Sequence, residues 1–146
     1  MKVKDILAVK GSQVRTVHED ISVIDAMSIF SANRVGSLLV VDKNDAILGI
    51  IAARDVLMAV LNDLDRITEL PVKEIMSKEL IVATENDDVD YVQAIMTENR
   101  IRHIPVIEGS DLKGLISIGD VVKAQLKKKD VENKYLKDYI ADKYPG

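Results

Sequence analysis

Apolar positions along the chain follow two rhythms, one helical and one extended, and the same succession of rhythms occurs twice. Val23, Ala26, Met27 and Phe30 recur at i, i+3, i+4, i+7, and Val89, Val92 and Met96 at i, i+3, i+7, so each set forms a stripe on one face of a helix. Ser22-x-x-Asp25 reads as a capping box at the start of the first helix, and Asp87 or Asp88 can cap the second. A strand around 15–17 or 81–83 leads into each. The runs 38–41 and 104–107 that follow are continuously apolar, as strands covered on both faces are. Asp42-Lys43-Asn44-Asp45 and Glu108-Gly109-Ser110-Asp111 then supply turn chemistry, folding each run back onto a hairpin partner at 47–51 or 112–116. A closing helix begins near Asp55 or Asp120, so each half reads β-α-β-β-α.

Residue identities repeat along with the rhythm. Val3-Lys4-Asp5-Ile6-Leu7 returns as Val72-Lys73-Glu74-Ile75-Met76, and Asn33-Arg34-Val35 as Asn99-Arg100-Ile101. Gly49-Ile50-Ile51 followed by Asp55-Val56 returns as Gly114-Leu115-Ile116 followed by Asp120-Val121. The expected fold class is therefore α/β (α+β): two copies of one unit packed with pseudo-two-fold symmetry, plus a C-terminal helix. The expected boundaries are 1–64 for the first copy, 65–71 for a connector reset at Leu70-Pro71, 72–128 for the second copy and 129–146 for an amphipathic tail. Val131, Tyr135, Leu136, Tyr139 and Ile140 continue at helical spacing through that tail towards Pro145-Gly146. Three of the four tyrosines lie there, and Tyr is enriched in interface cores, which points to a second chain as its partner; sealing the chain's own core is the alternative.

Composition narrows the function classes. A copy of roughly 60 residues buries only about 60% of its unfolded surface, so two copies packed together succeed where one is marginal. Twenty basic against 24 acidic side chains give a net charge of −4, which speaks against nucleic acid as a partner. Lys127-Lys128-Lys129 complements a helix C-terminus, with nucleic acid or acidic lipid as the alternative. The absence of Cys excludes disulfides, thiol nucleophiles, Cys-ligated zinc and iron–sulfur clusters. The longest apolar runs, 47–53 and 56–61, are too short to span a bilayer, and no charged segment followed by an apolar stretch opens the chain; a soluble, unprocessed, cytoplasmic protein without membrane contact is expected. Only His18 and His103 are present, neither beside a Ser or Asp in a motif-like setting, so triads and His-rich metal sites lack support and no catalytic residue is expected. Glu85, Asp87, Asp88 and Asp90 suit a helix dipole without the spacing of an EF-hand, and no intrinsic metal is expected. Met27, Met58, Met76 and Met96 read as core filler.

The Val-Lys-acid-Ile opening, the Asn-Arg before an apolar strand with Pro105 inside it, and Gly-h-h-x-x-x-Asp at the strand-to-helix junction together resemble the cystathionine-β-synthase (CBS) domain. Two in tandem resemble a CBS pair, or Bateman module, over about residues 1–128. The resemblance implies a non-enzymatic regulatory fold with clefts for adenosine-containing ligands such as AMP, ADP or ATP, and a homodimer that acts on a protein target. It also implies a ribose-binding Gly-h-x-(Ser/Thr)-x-x-(Asp/Asn) stretch. Gly114-Leu115-Ile116-Ser117-Ile118-Gly119-Asp120 matches it in full, whereas in Gly49-Ile50-Ile51-Ala52-Ala53-Arg54-Asp55 the hydroxyl is replaced by Ala52. Arg102 and His103 stand where family members often carry phosphate-binding residues; the first copy has Gly36-Ser37 there, with Arg54 as its nearest spare cation. An adenine slot is implied at Val82, Ala83, Thr84, Ile104 and Pro105.

Chemistry supports the ribose role independently. An ionised carboxylate accepts two hydrogen bonds from a vicinal diol, and a strand ending at Ser117 before a helix near Asp120 brings hydroxyl, carboxylate and first-turn N–H groups to one crevice. Helix N-termini favour phosphate oxygens, so Gly119 is assigned to phosphate with Arg102 and His103. Ser117 and Asp120 thus form the expected ribose site, and Ala52, Arg54 and Asp55 a weaker second one. The alternative is that Asp120 and Asp55 merely cap their helices, that Arg34 and Arg100 stabilise helix ends, and that His103 is a surface residue. No catalytic cofactor is expected; an adenine nucleotide is the regulatory ligand, with magnesium accompanying a polyphosphate. NAD(H) or S-adenosylmethionine, sharing the adenosine moiety, and a structural interaction module with vestigial clefts are the remaining alternatives.

Overall fold

The computed structural model describes residues 1–143, with side chains through residue 137. In chain order the elements are helix α1 (Val3–Lys10), strand β1 (Thr16–His18), helix α2 (Val23–Asn33), strands β2 (Ser37–Val41) and β3 (Ile47–Ala52), helix α3 (Ala53–Asn62), helix α4 (Val89–Asn99), strands β4 (His103–Glu108) and β5 (Asp111–Ser117), and helix α5 (Ile118–Lys143). Short 3-10 turns occupy Leu64–Arg66 and Val72–Glu74. The β-α-β-β-α order is present in the first half. In the second, the leading strand is reduced to one parallel bridge, Ala83 to Val106.

The chain forms two compact units, and they do not follow the order of the repeats. One comprises 13–81; the other joins Met1–Ser12 to the chain from Val82 onward. The sequence boundaries 1–64 and 72–128 therefore describe the duplication but not the packing, because each opening segment docks on the other copy. Val3 N–H donates to the Asp87 carbonyl at 2.9 Å, Lys4 N–H to Glu85 at 3.0 Å, and Val89 N–H to Met1 at 3.0 Å. The matching bonds in the other unit run from Val72 to Ile21 at 2.9 Å, Lys73 to Glu19 at 3.1 Å and Val23 to Leu70 at 2.8 Å. A short loop before each long helix thus uses its backbone groups to hold the incoming segment.

Within 13–81, β1 pairs parallel with β2, and β2 antiparallel with β3 in the register Ser37 to Ala52 and Leu38 to Ile51. Side chains alternate across such a ladder, so Leu38, Val40 and Ile51 face the helix side and enter a core with Val23, Ala26, Val56 and Val72. The other unit repeats the pattern: β4 pairs antiparallel with β5, with His103 opposite Ser117 and Ile104 opposite Ile116. Its core joins Val3, Ile6 and Leu7 to Ala83, Val92, Ile104, Val106 and Ile116. Gly49 and Gly114 allow the borrowed segment to come close. A Cβ at Gly114 would lie 2.5 Å from Leu7 Cδ2, and one at Gly49 2.6 Å from the Ser77 carbonyl oxygen.

Helix ends match as well. Arg34 and Arg100 are left-handed at φ 51° and 55°, terminating α2 and α4, and Asn33 and Asn99 turn their amides back to the Ile29 and Ile95 carbonyls at 3.0 and 2.9 Å. Ser22 Oγ caps α2 by accepting from Asp25 N–H at 3.0 Å. Asp88 stands at the N-cap of α4 without a side-chain cap bond, while Asp87 accepts from Thr84 N–H at 2.8 Å. Two expectations are corrected. The tail is continuous with α5 instead of a separate helix beginning at 129, with Val131, Tyr135 and Leu136 exposed; the side chains of Tyr139 and Ile140, and Pro145-Gly146, lie outside the described residues. Met27 and Met58 are exposed on α2 and α3, unlike buried Met96.

Candidate functional site

Strand β5 ends at Ser117 and α5 begins one residue later, so the turn between them places Asp120 back over the strand end. Asp120 Oδ2 accepts from Ser117 N–H at 2.8 Å, and Asp120 N–H donates to Ser117 Oγ at 3.1 Å. This reciprocal pair is a capping box, and it fixes the carboxylate in one orientation. Asp120 Oδ1 accepts no hydrogen bond among the described residues, and the Ser117 hydroxyl proton has no acceptor there. One acceptor and one donor therefore remain for a ligand.

A residue that the motif did not reveal completes the site. Lys10, at the end of α1, donates from Nζ to Asp120 Oδ2 and to the Leu115 carbonyl, both at 2.6 Å. Burial opposes ionisation of Asp120, but the Lys10 ammonium and the Ser117 amide outweigh it and hold the carboxyl below the usual carboxylate value. His103, half-buried across the ladder from Ser117, is shifted down by burial and by the nearby Lys10 charge, against the opposing pull of Asp120. It is therefore neutral at pH 7. Arg102 is exposed, and its carbonyl accepts from Ile118 N–H at 2.8 Å. Gly119 lies in the first turn of α5, where helical N–H groups lack an intrahelical acceptor, and a Cβ there would meet only Ser117 Oγ, at 3.5 Å.

The residues assigned to an adenine slot separate by face. The Ala83 and Ile104 side chains are sealed in the helix-side core, and the Ala83 carbonyl accepts from Ile107 N–H at 2.9 Å. Pro105 is buried on the face of β4 opposite Ile104, with its carbonyl accepting from Ala83 N–H at 2.9 Å, while Val82 and Thr84 are exposed. Period-two alternation in the flanking strands was the signal that distinguishes them.

The weaker corner has the same backbone and different chemistry. Asp55 Oδ2 accepts from Ala52 N–H at 2.8 Å, but Ala52 provides no hydroxyl to return the bond. Among the described residues no cation lies within 4.0 Å of Asp55, and burial raises its carboxyl pKa despite the Ala52 amide and the field of Arg54. Glu79 stands in the second opening segment where Lys10 stands in the first. Directly across the ladder from Ala52 is Ser37, only 4% exposed, whose Oγ has no hydrogen-bond partner among the described residues. A buried hydroxyl without a partner costs about 1–3 kcal/mol, so its position requires a reason.

This geometry agrees with relationships to known proteins. Residues 3–62 and 72–127 each match the CBS domain. A mitochondrial CBS domain-containing protein of Arabidopsis thaliana, CBSX3, is 37% identical over 129 residues, covering 86% of this chain and 63% of the relative. The chain thus spans less than two thirds of that relative's length. A crystal structure of a CBS-domain containing protein from Agrobacterium tumefaciens superposes with a TM-score of 0.83 at 38% identity, covering 86% of this chain and 99% of the other. The CBS domain pair of protein MJ0100, solved with 5′-methylthioadenosine and S-adenosyl-L-methionine, superposes with a TM-score of 0.78 at 27% identity over 88% of this chain and 98% of the other. The chain belongs to the CBS domain family and carries a tandem pair, a class of regulatory module. Among the described residues no helix is long and apolar enough to cross a membrane.

Proposed function

We propose that this protein is a non-enzymatic regulatory module that binds an adenine nucleotide at the Ser117–Asp120 corner and thereby alters its association with a protein target or with a second copy of itself. The observation that carries this reading is the divided carboxylate of Asp120: Oδ2 is anchored by Ser117 and Lys10, while Oδ1 is open to a ribose hydroxyl. The Ser117 hydroxyl donates to the same diol. Lys10, Arg102 and the Gly119 amide gather positive charge around the corner, which favours AMP, ADP or ATP over a cationic sulfonium. Val82, Thr84 and Pro105 receive the base, over the strand backbone at Ala83 and Ile104. Magnesium enters only as the companion of a polyphosphate, and no catalytic cofactor is required. The adenosyl ligands in the MJ0100 domain pair support the shared adenosine chemistry and make S-adenosylmethionine and NAD(H) the comparison ligands.

A ligand at a hundred times its Kd stabilises the folded state by about 2.7 kcal/mol, or roughly 5–11 °C in Tm for a chain of this size. ATP or AMP should produce such a shift, and Asp120→Ala should remove most of it; an undiminished shift in the variant would place the ligand elsewhere. A second reading is a structural interaction module without ligand. It is favoured by the apolar stripe Val131, Tyr135 and Leu136, exposed at 64%, 69% and 53% on α5. Dimerisation lost on removing residues after 128, with no thermal response to any nucleotide, would support it.

A further inference from the structure

We infer that α1 is a ligand-gated element: Lys10 ties its C-terminal end to the Asp120 corner, and an anionic ligand there tightens that tie and so fixes the start of the link into the unit at 13–81. This concerns the regulation of the corner and rests on the reading that Asp120 receives a nucleotide. The two opening segments pack alike as far as Leu7 and Met76, which press on Gly114 and Gly49, and then part. In the second, Ser77 pairs with Ile50 through two backbone bonds of 3.0 and 2.9 Å, so main chain holds it to the edge of β3. In the first, the counterpart of Ser77 is Ala8, and the chain stays helical through Lys10. The carbonyl of Leu115, the counterpart of Ile50, takes the Lys10 ammonium at 2.6 Å instead.

A backbone bridge is indifferent to anions, whereas an ammonium is not. Lys10 Nζ has three donors; Asp120 and Leu115 take two, and the third has no partner among the described residues. A phosphate oxygen at the corner meets that donor only while α1 is docked. Ala8, Val9 and Lys10 are exposed, and among the described residues no other side-chain bond holds this end of the helix. The other end is secured separately, by backbone bonds with Glu85, Asp87 and Val89 and by the Lys2–Asp88 ion pair at 2.9 Å. Gly11, left-handed at φ 95°, then opens an exposed link into 13–81. Linkage is reciprocal, so the factor by which an anion favours docked α1 is the factor by which docked Lys10 raises anion affinity. An uncharged nucleoside offers nothing to the third donor and leaves α1 as it was.

Amide hydrogen exchange of the full chain, read by NMR at Val9, Lys10 and Gly11 with Ser77 as internal reference, tests this; Gly11 N–H, bonded to the Leu7 carbonyl at 2.8 Å, reports the last turn of α1. Without ligand, Lys10→Met should speed exchange at these amides about fivefold and leave Ser77 unchanged. Asp120→Asn should speed it less, since the Leu115 bond remains, and should add nothing to Lys10→Met. Saturating ATP should slow exchange there about tenfold in the native chain and not at all in Lys10→Met, whose ATP affinity by calorimetry should be about tenfold lower. Saturating adenosine should slow it in neither. Unaltered exchange in ligand-free Lys10→Met, ATP protection that survives in that variant, or faster exchange with ATP would each overturn the proposal. Calorimetry separates the two readings: failure of ATP to bind the native chain rejects the nucleotide site and the gating with it, whereas bound ATP without a change at these amides rejects the gating alone.

Discussion

The two strand-to-helix corners share a backbone and differ in electrostatic environment. At both, a carboxylate in the first helical turn accepts the strand-end amide at 2.8 Å. At Asp120 the Lys10 ammonium overcomes burial and the carboxyl pKa falls; at Asp55 burial prevails and it rises. Duplication therefore fixes where the carboxylate stands, while the borrowed segment decides its charge environment. Lys10 reaches Asp120 because α1 docks on the unit that contains the second repeat, and Glu79 occupies the corresponding place in the other segment.

The contrast is sharpest in binding. Asp120→Ala should lower ATP affinity about 100-fold, equivalent to about 2.7 kcal/mol and consistent with losing charge-assisted bonds to a diol, whereas Asp55→Ala should change it less than about twofold. Calorimetry showing equal losses at the two positions would erase the distinction.

Next in size is the packing of the two borrowed segments. Overfilling a tight contact costs about 1–3 kcal/mol. Gly49→Ala should lie near the top of that range, because its neighbour is the Ser77 carbonyl on the backbone; Gly114→Ala should lie near the bottom, because the Leu7 side chain can turn away. Urea unfolding of both variants reads the difference, and the reverse order would refute this account of the glycines.

The two carboxylates should also respond to pH with opposite sign. Asp120 is held low in the folded protein, so its contribution is present above the unfolded value and is lost as pH falls through the folded value. Lys10→Met should therefore cost about 1 kcal/mol at neutral pH, in keeping with a partly exposed charge-assisted bond, and progressively less in acid. Asp55 is held high, so its contribution is present below the unfolded value and is lost as pH rises through the folded one. Asp55→Asn should stabilise the protein at neutral pH and lose that advantage in acid. Chemical denaturation across the pH range measures both, and parallel profiles would contradict the contrast. The smallest effect concerns His103. It is neutral at pH 7, so ATP affinity should rise a few-fold as the solution is acidified and the ring becomes a cation, and His103→Gln should flatten that profile.

Much of this was legible in the sequence because it is local. The i, i+3, i+4 stripes located α2 and α4, the turn residues located both hairpins, and the spacing Ser117-x-x-Asp120 located the capping box. The departures are non-local. The exchange of opening segments leaves no mark on periodicity, since Val3 and Val72 look alike whichever repeat they cover, and Lys10 went unrecognised for the same reason. Ser37 was visible only as a missing cation. Its register against Ala52 and its lack of a partner depend on pairing between strands, which residue identity alone does not convey. The adenine slot spans both faces of β4, Ile104 on one and Pro105 on the other, because neighbours along a strand point to opposite sides.

The shared docking scheme also bears on how the molecule is made. The unit at 13–81 is continuous, whereas its sibling needs Met1–Ser12 to meet chain from Val82 onward. During synthesis at about 5–20 residues per second, α1 leaves the ribosome before β5 and waits on the order of 5–20 s for it to emerge. Throughout that interval Val3, Ile6 and Leu7 lack the core they later enter. A helix translated ahead of the continuous unit is thus housed after it, and nascent chains stalled before β5 present its apolar face to holdase chaperones.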